Sequence, residues 1–156
     1  SGHKGAGTGE LLNMDIAKLI ADRCSGVVYT CDVGDPVRDV VAMLAGKRIG
    51  ALPVMQAGQL AGIFSERDVI YRMADEGASC LEKTIGEVMT APAITVESSA
   101  KVDEALGLMT RRRIRHLPVV RDGAMCGFIS IGDLVKSRMD EVERDAEAMR
   151  NYIQTA

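Results

Sequence analysis

A segment of 20 residues occurs twice in this chain at a fixed spacing, and this repetition constrains the fold more than any other feature. Residues 49–68 read IGALPVMQAGQLAGIFSERD, and residues 114–133 read IRHLPVVRDGAMCGFISIGD. Pro53 aligns with Pro118, which gives an offset of 65 residues without a gap. Self-similarity at a fixed offset indicates a duplicated structural unit. Because the segment has only two copies, we expect a pseudo-symmetric pair and not a solenoid.

Each copy has the pattern of a small unit of strands and helices. Apolar residues at helical spacing precede each copy, and two short apolar runs joined by a turn then predict a hairpin of strands at 52–55 and 60–64, and again at 117–120 and 125–129. Ser65 and Ser130 follow at positions suited to helix N-caps. β-Branched residues predict earlier strands at 27–31 and 93–96. Both units therefore have the predicted order strand, helix, strand, strand, helix.

The segments outside the two copies have different expected roles. The glycine-rich residues 1–13 predict a flexible leader or an expression-tag remnant, and 14–23 predict a short amphipathic helix. We place the first unit at 24–79, the second at 80–138 and a helical extension at 139–156. Apolar residues along this last helix recur every three or four positions, namely Val135, Met139, Val142, Ala146, Met149 and Ile153. Such spacing is typical of a coiled-coil seam, so we expect a partner helix to cover it; the alternative is docking on its own domain.

The repeated residues resemble the CBS domain, and two in tandem resemble a Bateman module. The resemblance covers about residues 25–138 and rests on the LPV of each copy and on the endings GIFSERD and GFISIGD. It is most specific to small stand-alone bacterial CBS-pair proteins. The fold class that it implies is α/β (α+β), with two pseudo-symmetric units and an extended C-terminal helix.

Ser65 and Asp68 are the first candidates for ligand binding. They lie three residues apart at the start of a predicted helix and therefore on one side of it. A carboxylate accepts hydrogen bonds such as those of ribose hydroxyls, and the free N–H groups of a first helical turn favour an anion. Ser130 and Asp133 repeat this arrangement. The resemblance implies that Asp68 and Asp133 each bind the ribose of AMP, ADP, ATP, NAD(H) or S-adenosylmethionine. Alternatively, they are only cap and dipole partners.

The base and the phosphate of such a ligand need further contacts. Apolar residues beside the two helices would line a slot for a flat base, and the resemblance adds the segment at 90–94. The predicted base pocket comprises Val28, Ile63, Phe64, Thr90, Ala93, Ile94, Phe128 and Ile129. For the phosphate, the resemblance implies Arg115 and His116, assisted by the hydroxyls of Ser65 and Ser130. The first copy has Gly50 and Ala51 at the matching positions, so we expect no equivalent contact there.

Composition argues against several other function classes. The chain has 3% aromatic residues and a net charge of −3, which do not favour nucleic-acid binding. No apolar run approaches the ~20 residues of a membrane span, and no signal-peptide pattern is present, so we predict a cytoplasmic protein without a membrane contact. The 4 cysteines form no Cys-x-x-Cys and predict no metal site. Cys24 and Cys126 have apolar neighbours and are expected to be buried thiols.

The sequence also lacks the residue patterns of common catalytic sites. It has 2 histidines, no Walker loop and no dinucleotide fingerprint. We therefore predict a non-catalytic sensor of an adenine nucleotide, such as AMP, ATP or NADH, that forms a homodimer and alters its own assembly or an unidentified regulated protein. The alternatives are a ligand-free dimerisation scaffold and an enzyme acting on a bound nucleotide.

Overall fold

Each copy of the repeated segment contributes a hairpin to its own three-stranded sheet. A computed structural model describes residues 14–21 and 28–155. The first sheet contains β1 (Cys31–Asp32), β2 (Ala51–Gln56) and β3 (Gln59–Ser65), and the second contains β4 (Val96–Glu97), β5 (His116–Arg121) and β6 (Ala124–Ser130). In both sheets the middle strand pairs parallel with the first strand and antiparallel with the third. Both predicted hairpins are confirmed.

The helices complete the predicted order in both units. They are α1 (Ile16–Ala21), α2 (Val37–Lys47), α3 (Glu66–Glu76), α4 (Ile85–Val88), α5 (Val102–Arg112) and α6 (Ile131–Thr155), with a 3-10 helix at Gly77–Glu82. The mixed fold of two similar units and a long C-terminal helix is thus confirmed. Even the helix ends repeat, because α2 and α5 both stop at an arginine in the left-handed conformation, Arg48 at φ 53° and Arg113 at φ 54°.

The first strand of each unit is shorter and begins later than predicted. β1 and β4 each contain two residues, Cys31–Asp32 and Val96–Glu97, in place of the five and four expected. The extended, β-branched residues before each strand do not pair with the neighbouring strand, because parallel pairing covers only these two positions. The predicted leader at 1–13, the end of the first helix at 22–23 and Val27 lie outside the described residues.

Two aliphatic cores lie against the two sheets, and each core includes a helix that precedes the other unit in sequence. Ile16 of α1 is fully buried in the second core, and Ile85 of α4 is fully buried in the first. The backbone repeats this exchange: Ile16 N–H donates to Ala100 O at 2.9 Å, and Ile85 N–H donates to Asp35 O at 2.8 Å. The connecting segments are thereby held between the units. The predicted boundary at 79/80 separates the repeats in sequence, whereas packing assigns α4 to the first core.

A glycine in the last strand of each sheet permits this exchange. A Cβ on Gly62 would lie 2.6 Å from the Thr90 carbonyl oxygen, and one on Gly127 would lie 2.7 Å from Ile20 Cδ1. Such distances are shorter than a normal van der Waals contact, so a Cβ at either position would force its neighbour to move, and at Gly62 that neighbour is backbone. At Gly62, backbone approaches so closely that Ile63 and Thr90 exchange two hydrogen bonds of 2.9 Å.

Cys126 is exposed, so the prediction that it is a buried thiol is wrong. In β6 the buried positions are Gly127 and Ile129, and strand alternation therefore turns Cys126 away from the core. Cys24 lies outside the described residues. Among the residues described, no helix has the length and apolar character needed to cross a membrane.

Candidate functional site

The helix start at Ser65 is the centre of the first candidate site. The Asp68 N–H donates to Ser65 Oγ at 3.4 Å, while Asp68 Oδ2 accepts from the Ser65 N–H at 2.9 Å and from its hydroxyl at 3.2 Å. This reciprocal arrangement is a capping box, which satisfies donors that the first helical turn leaves free. Asp68 Oδ1 accepts a further hydrogen bond from the Thr90 hydroxyl at 2.8 Å. The carboxylate therefore joins α3 to the segment between the units.

Ser130 and Asp133 form the same arrangement at the start of α6. The Ser130 N–H donates to Asp133 Oδ2 at 2.8 Å, and the Asp133 N–H donates to Ser130 Oγ at 3.0 Å. The prediction that both serines are N-caps is confirmed. Both aspartates have the structural role that the cap-only alternative requires, so their geometry alone does not establish ligand binding.

A cleft of about 530 Å³ opens beside Asp68, and we call it the first cleft. Its polar side is formed by Ser65, Asp68, Thr90 and Arg115. Its apolar lining includes Ile63, Ala93, Ile94 and Ile114. The cleft lies between the units, because its walls come from the first hairpin, from the connecting segment and from the residues before β5. Apolar walls with a few converging polar groups are typical of small-molecule sites.

A second cleft of about 1280 Å³ opens beside Asp133. Of the predicted residues, Val28, Phe128, Ile129, Ser130 and Asp133 border it. The pseudo-symmetry therefore places each helix start at the edge of a cleft, as the duplication indicates.

One predicted base contact is wrong. Phe64 is 1% exposed, packs in the first core and does not border the first cleft. Alternation along β3 turns Ile63 to the cleft and Phe64 to the core. The equivalent strand follows the same rule: Phe128 faces the second cleft, whereas Ile129 is 2% exposed and belongs to the second core, although it borders the cleft. The sequence predicts both neighbours for each slot, but a strand presents only alternate residues to one face.

His116 borders both clefts. Its ring stacks on Phe128 with centroids 5.6 Å apart and an interplanar angle of 13°. Burial lowers the pKa of His116 below its usual value, and Arg115 lowers it further, while the charges of Asp133 and Glu66 act in the opposite direction. The ring is therefore mainly neutral at pH 7. The predicted contact with a phosphate needs the charged imidazolium form of His116, and the protein alone disfavours that form.

Gly50 and Ala51 of the first copy match Arg115 and His116 in the repeat, and both lie in tightly packed surroundings. Gly50 would place a Cβ 3.3 Å from His116 Cε1, which is tighter than most real contacts. Ala51 is 3% exposed. Arg115 is exposed at the edge of the first cleft. Arg115 therefore brings a positive charge to the first cleft and not to the second, and the matching Gly50 brings none to either.

Sequence reasoning missed a second set of lining residues. Lys136, Asp140 and Arg144 of α6 border the second cleft, and Arg67 and Tyr71 of α3 border the first. The signal for the α6 residues was their spacing of four, which places them on one face of the helix with Asp133. Arg67 also donates to the Arg113 carbonyl oxygen at 2.8 Å, a hydrogen bond that joins the two units.

The described residues contain no group of three or more histidine, cysteine or carboxylate side chains that could hold a metal ion. Cys31 and Cys80 are buried thiols, and burial raises the pKa of Cys31 to about 12. A thiol with so high a pKa stays protonated and unreactive at neutral pH.

Comparison with known proteins identifies the repeated unit. A family model described as the CBS domain matches residues 20–75 and again 85–140. The mitochondrial CBS domain-containing protein CBSX3 of Arabidopsis thaliana is 36% identical over 145 residues, which is 90% of this chain and 70% of that protein. The CBS-domain containing protein ATU1752 of Agrobacterium tumefaciens has a similar structure, with a TM-score of 0.75 and 33% identity over 80% of this chain and 99% of that one.

A more distant structure shares only the fold. The CBS domain pair of protein MJ0100, determined in complex with 5′-methylthioadenosine and S-adenosyl-L-methionine, has a TM-score of 0.68 at 24% identity, over 79% of this chain and 94% of that one. The resemblance seen in the sequence is therefore confirmed by the family model, by a relative that is 36% identical and by the fold. This chain belongs to the CBS-domain family and is a tandem CBS pair.

Proposed function

We propose that this chain is a non-catalytic sensor that binds an adenosine-containing ligand in the first cleft. CBS pairs are regulatory modules, and the ligand class is the part that we add. The proposal rests above all on one observation: the carboxylate of Asp68, at a helix N-terminus, lines the same cleft as the apolar Ile63 and Ile94 and the basic Arg115. These three chemistries suit a ribose, a base and a phosphate, respectively.

Asp68 has enough acceptor capacity for a ribose only if one present bond changes. A carboxylate has about four acceptor positions. Ser65 uses two through its N–H and its hydroxyl, and Thr90 uses one. One position is left, whereas a ribose presents two hydroxyl groups. We infer that Thr90 turns its hydroxyl from Asp68 Oδ1 to the ligand on binding, which would couple occupancy of the cleft to the connecting segment.

The second cleft is proposed as a site of the same type with different recognition. Asp133 repeats the helix start, and Phe128 offers a ring face to a base. Phosphate recognition would differ, because Gly50 and Ala51 bring no charge and the cations nearby are Arg48 and, on α6, Lys136 and Arg144. The CBS domain pair of MJ0100, which shares this fold, was determined in complex with two adenosine derivatives, and this supports the proposed ligand class.

The ligand-free scaffold is the second candidate, because both aspartates already cap their helices. Thermal unfolding with AMP, ADP, ATP, NAD⁺, NADH and S-adenosylmethionine separates the two. A ligand that binds only the folded state adds ~2.7 kcal/mol to the free energy of unfolding at about 100 times its dissociation constant. GMP is the matched control, since it changes the base alone.

The outcome distinguishes the alternatives. A melting temperature that none of the six adenosine compounds changes at millimolar concentration would exclude the sensor and favour the scaffold. Turnover of ATP or NADH would instead indicate an enzyme.

We further propose that the chain acts as a homodimer and passes its ligand state to a regulated protein. The exposed apolar side chains of α6 support the dimer, because a soluble chain rarely leaves so long an apolar stripe uncovered. A ligand would change that assembly only if it binds two arrangements with different affinity. Light scattering with and without nucleotide tests this, and a monomer under both conditions would contradict it.

A further inference from the structure

The distal part of α6 presents an unpartnered apolar stripe. Of the six residues predicted for a coiled-coil seam, Val135, Met139 and Val142 are 52%, 59% and 51% exposed. Met149 and Ile153 are 61% and 67% exposed. Ala146 is also exposed. α6 continues to Thr155, so both ends of the stripe are helical. We call these six residues the seam.

Charged residues flank the seam in an ordered way. In heptad notation, Met139, Ala146 and Ile153 take position a, and Val135, Val142 and Met149 take position d. Positions e and g border such a seam, and their charges choose the partner and its orientation. Five flanking residues are charged: Arg138 and Asp145 at g, and Lys136, Glu143 and Arg150 at e.

These charges distinguish the possible arrangements of two copies. In a parallel, in-register pair, each g residue faces the e residue of the next heptad on the partner. Arg138 would then face the partner's Glu143, and Asp145 would face the partner's Arg150; both pairs attract. In an antiparallel pair of full overlap, Glu143 and Asp145 would each face their own copies, and both pairs repel.

An antiparallel pair displaced by one heptad avoids these clashes but leaves part of the seam exposed. Met149 would then face Gly132, and Ile153 would have no helical partner, because α6 begins at Ile131. Of these arrangements, only the parallel one covers the whole seam and also gives attractive pairs; Lys136 faces the partner's Ile131, which is uncharged, and is neither attracted nor repelled. Attraction between charges at these positions is modest in energy but decides between otherwise similar pairings.

We propose that α6 forms a parallel, in-register coiled coil with α6 of a second copy, oriented by Arg138–Glu143 and Asp145–Arg150 pairs. This inference deepens the proposed homodimer and rests on it. Arg138 now lies 3.6 Å from Glu141 of its own helix, a half-buried contact that it would exchange for the partner's Glu143. The second cleft shares this helix, since Lys136 and Arg144 border that cleft. The contact between two copies is thus built on the element that also carries Asp133.

A charge-swap cycle tests the orientation. Arg138→Glu and Glu143→Arg each create repulsion in the parallel dimer, and the double variant restores attraction. We expect each single variant to raise the dimer dissociation constant roughly twofold to thirtyfold in sedimentation equilibrium, and the double variant to return it to the original value. Glu147→Arg is the matched control, since position 147 lies at b, away from the seam. Failure of the double variant to recover would contradict the parallel pairing.

A cysteine probe tests the register independently. Met149→Cys, in a background with Cys24 and Cys126 changed to serine, brings two thiols together across the seam of a parallel dimer. In the antiparallel dimer of full overlap they would be about ten residues apart, or ~15 Å, which is beyond disulfide reach. We expect a cross-linked dimer on mild oxidation. A dimer by light scattering without cross-linking refutes the parallel register but leaves the homodimer; a monomer refutes both.

Discussion

The two clefts share a capping box at a helix start and differ in the other residues that line them. In each, a serine and an aspartate close a capping box at a helix start, so the duplication preserved this element. Gly50, Ala51 and His116 border both clefts, but Thr90 and Arg115 border only the first, and Arg48, Lys136 and Arg144 border only the second. The part of a ligand common to both sites is therefore the ribose, and the phosphate is the part on which they differ. Substitution of the two shared aspartates is the first test of this difference.

Removal of either aspartate should have the largest effect on binding. Asp68→Ala and Asp133→Ala each remove a charged acceptor, and hydrogen bonds to charged groups contribute ~1.5–3 kcal/mol, so affinity at the altered cleft should fall about tenfold to a hundredfold. The other cleft should keep its affinity. Calorimetric titration measures both.

Asp103→Ala is the matched control for these variants. Asp103 also lies in the first turn of a helix but borders neither cleft. Its loss should cost ~0.3–1 kcal/mol of stability through the helix dipole and leave binding unchanged. If Asp68→Ala and Asp103→Ala behave alike, Asp68 is a helix partner only.

The two glycines that permit the helix exchange should differ in sensitivity. In Gly62→Ala the new Cβ meets a backbone carbonyl at 2.6 Å, and backbone cannot easily move, so we expect a loss of ~1–3 kcal/mol in unfolding free energy. In Gly127→Ala it meets the end of the Ile20 side chain, which can change rotamer. The second substitution should therefore cost less. Urea unfolding of both variants measures the difference, and equal costs would contradict the argument from backbone contact.

Arg115→Ala should weaken AMP and spare adenosine. Arg115 is exposed, so its attraction to a phosphate is screened by solvent and should contribute ~0.2–1 kcal/mol, or up to about fivefold in affinity. Adenosine has no phosphate and should bind as before. Arg121→Ala is the matched control, because Arg121 is exposed in the same unit and borders neither cleft. If the affinities for AMP and adenosine fall equally, Arg115 maintains the shape of the cleft and does not contact the phosphate.

Acid should weaken the fold through His116, with a smaller effect than the substitutions. Burial lowers the pKa of His116, so the unfolded chain takes up the proton more readily than the folded one. This residue's contribution to stability is complete above about pH 6.5 and is lost as the pH falls below that value. His116→Phe should remove this slope while keeping the stack on Phe128. An unchanged slope between pH 5 and 7 in urea unfolding would show that another group titrates.

AMP binding should have the opposite pH dependence from stability. A phosphate beside His116 favours the imidazolium, so affinity should increase as the pH falls through the same range. Adenosine is the control and should show no such increase. If AMP and adenosine have the same pH dependence of affinity in His116→Phe, the increase for AMP arises from the His116 ring.

Local patterns were sufficient to predict the hairpins, the caps and the repeated order of elements. Ser65 and Ser130 are N-caps because the signal is contained in a few adjacent residues. Dependence on local signals also explains the error at Phe64. Ile63 and Phe64 are both apolar, and only the register of β3 decides which of them faces the core.

The exchange of helices could not be predicted from sequence. α1 and α4 are short apolar segments that would fit either sheet, and their choice depends on contacts between residues far apart in the chain, such as Ile16 with Ala100. The charges of α6 at the second cleft were missed for a similar reason. Lys136 and Arg144 have the spacing of a solvated helix face, and only the position of the neighbouring unit turns that face toward a cleft.

Amide hydrogen exchange with and without AMP tests the location of the ligand most directly. A ligand in the first cleft contacts the start of α3, the connecting segment and the residues before β5, and it raises the free energy of local opening there. We expect slower exchange in peptides that cover residues 63–68, 90–94 and 114–116, and no slowing there in Asp68→Ala. Saturating AMP without protection of these segments, or with protection confined to other parts of the chain, would contradict the proposed site.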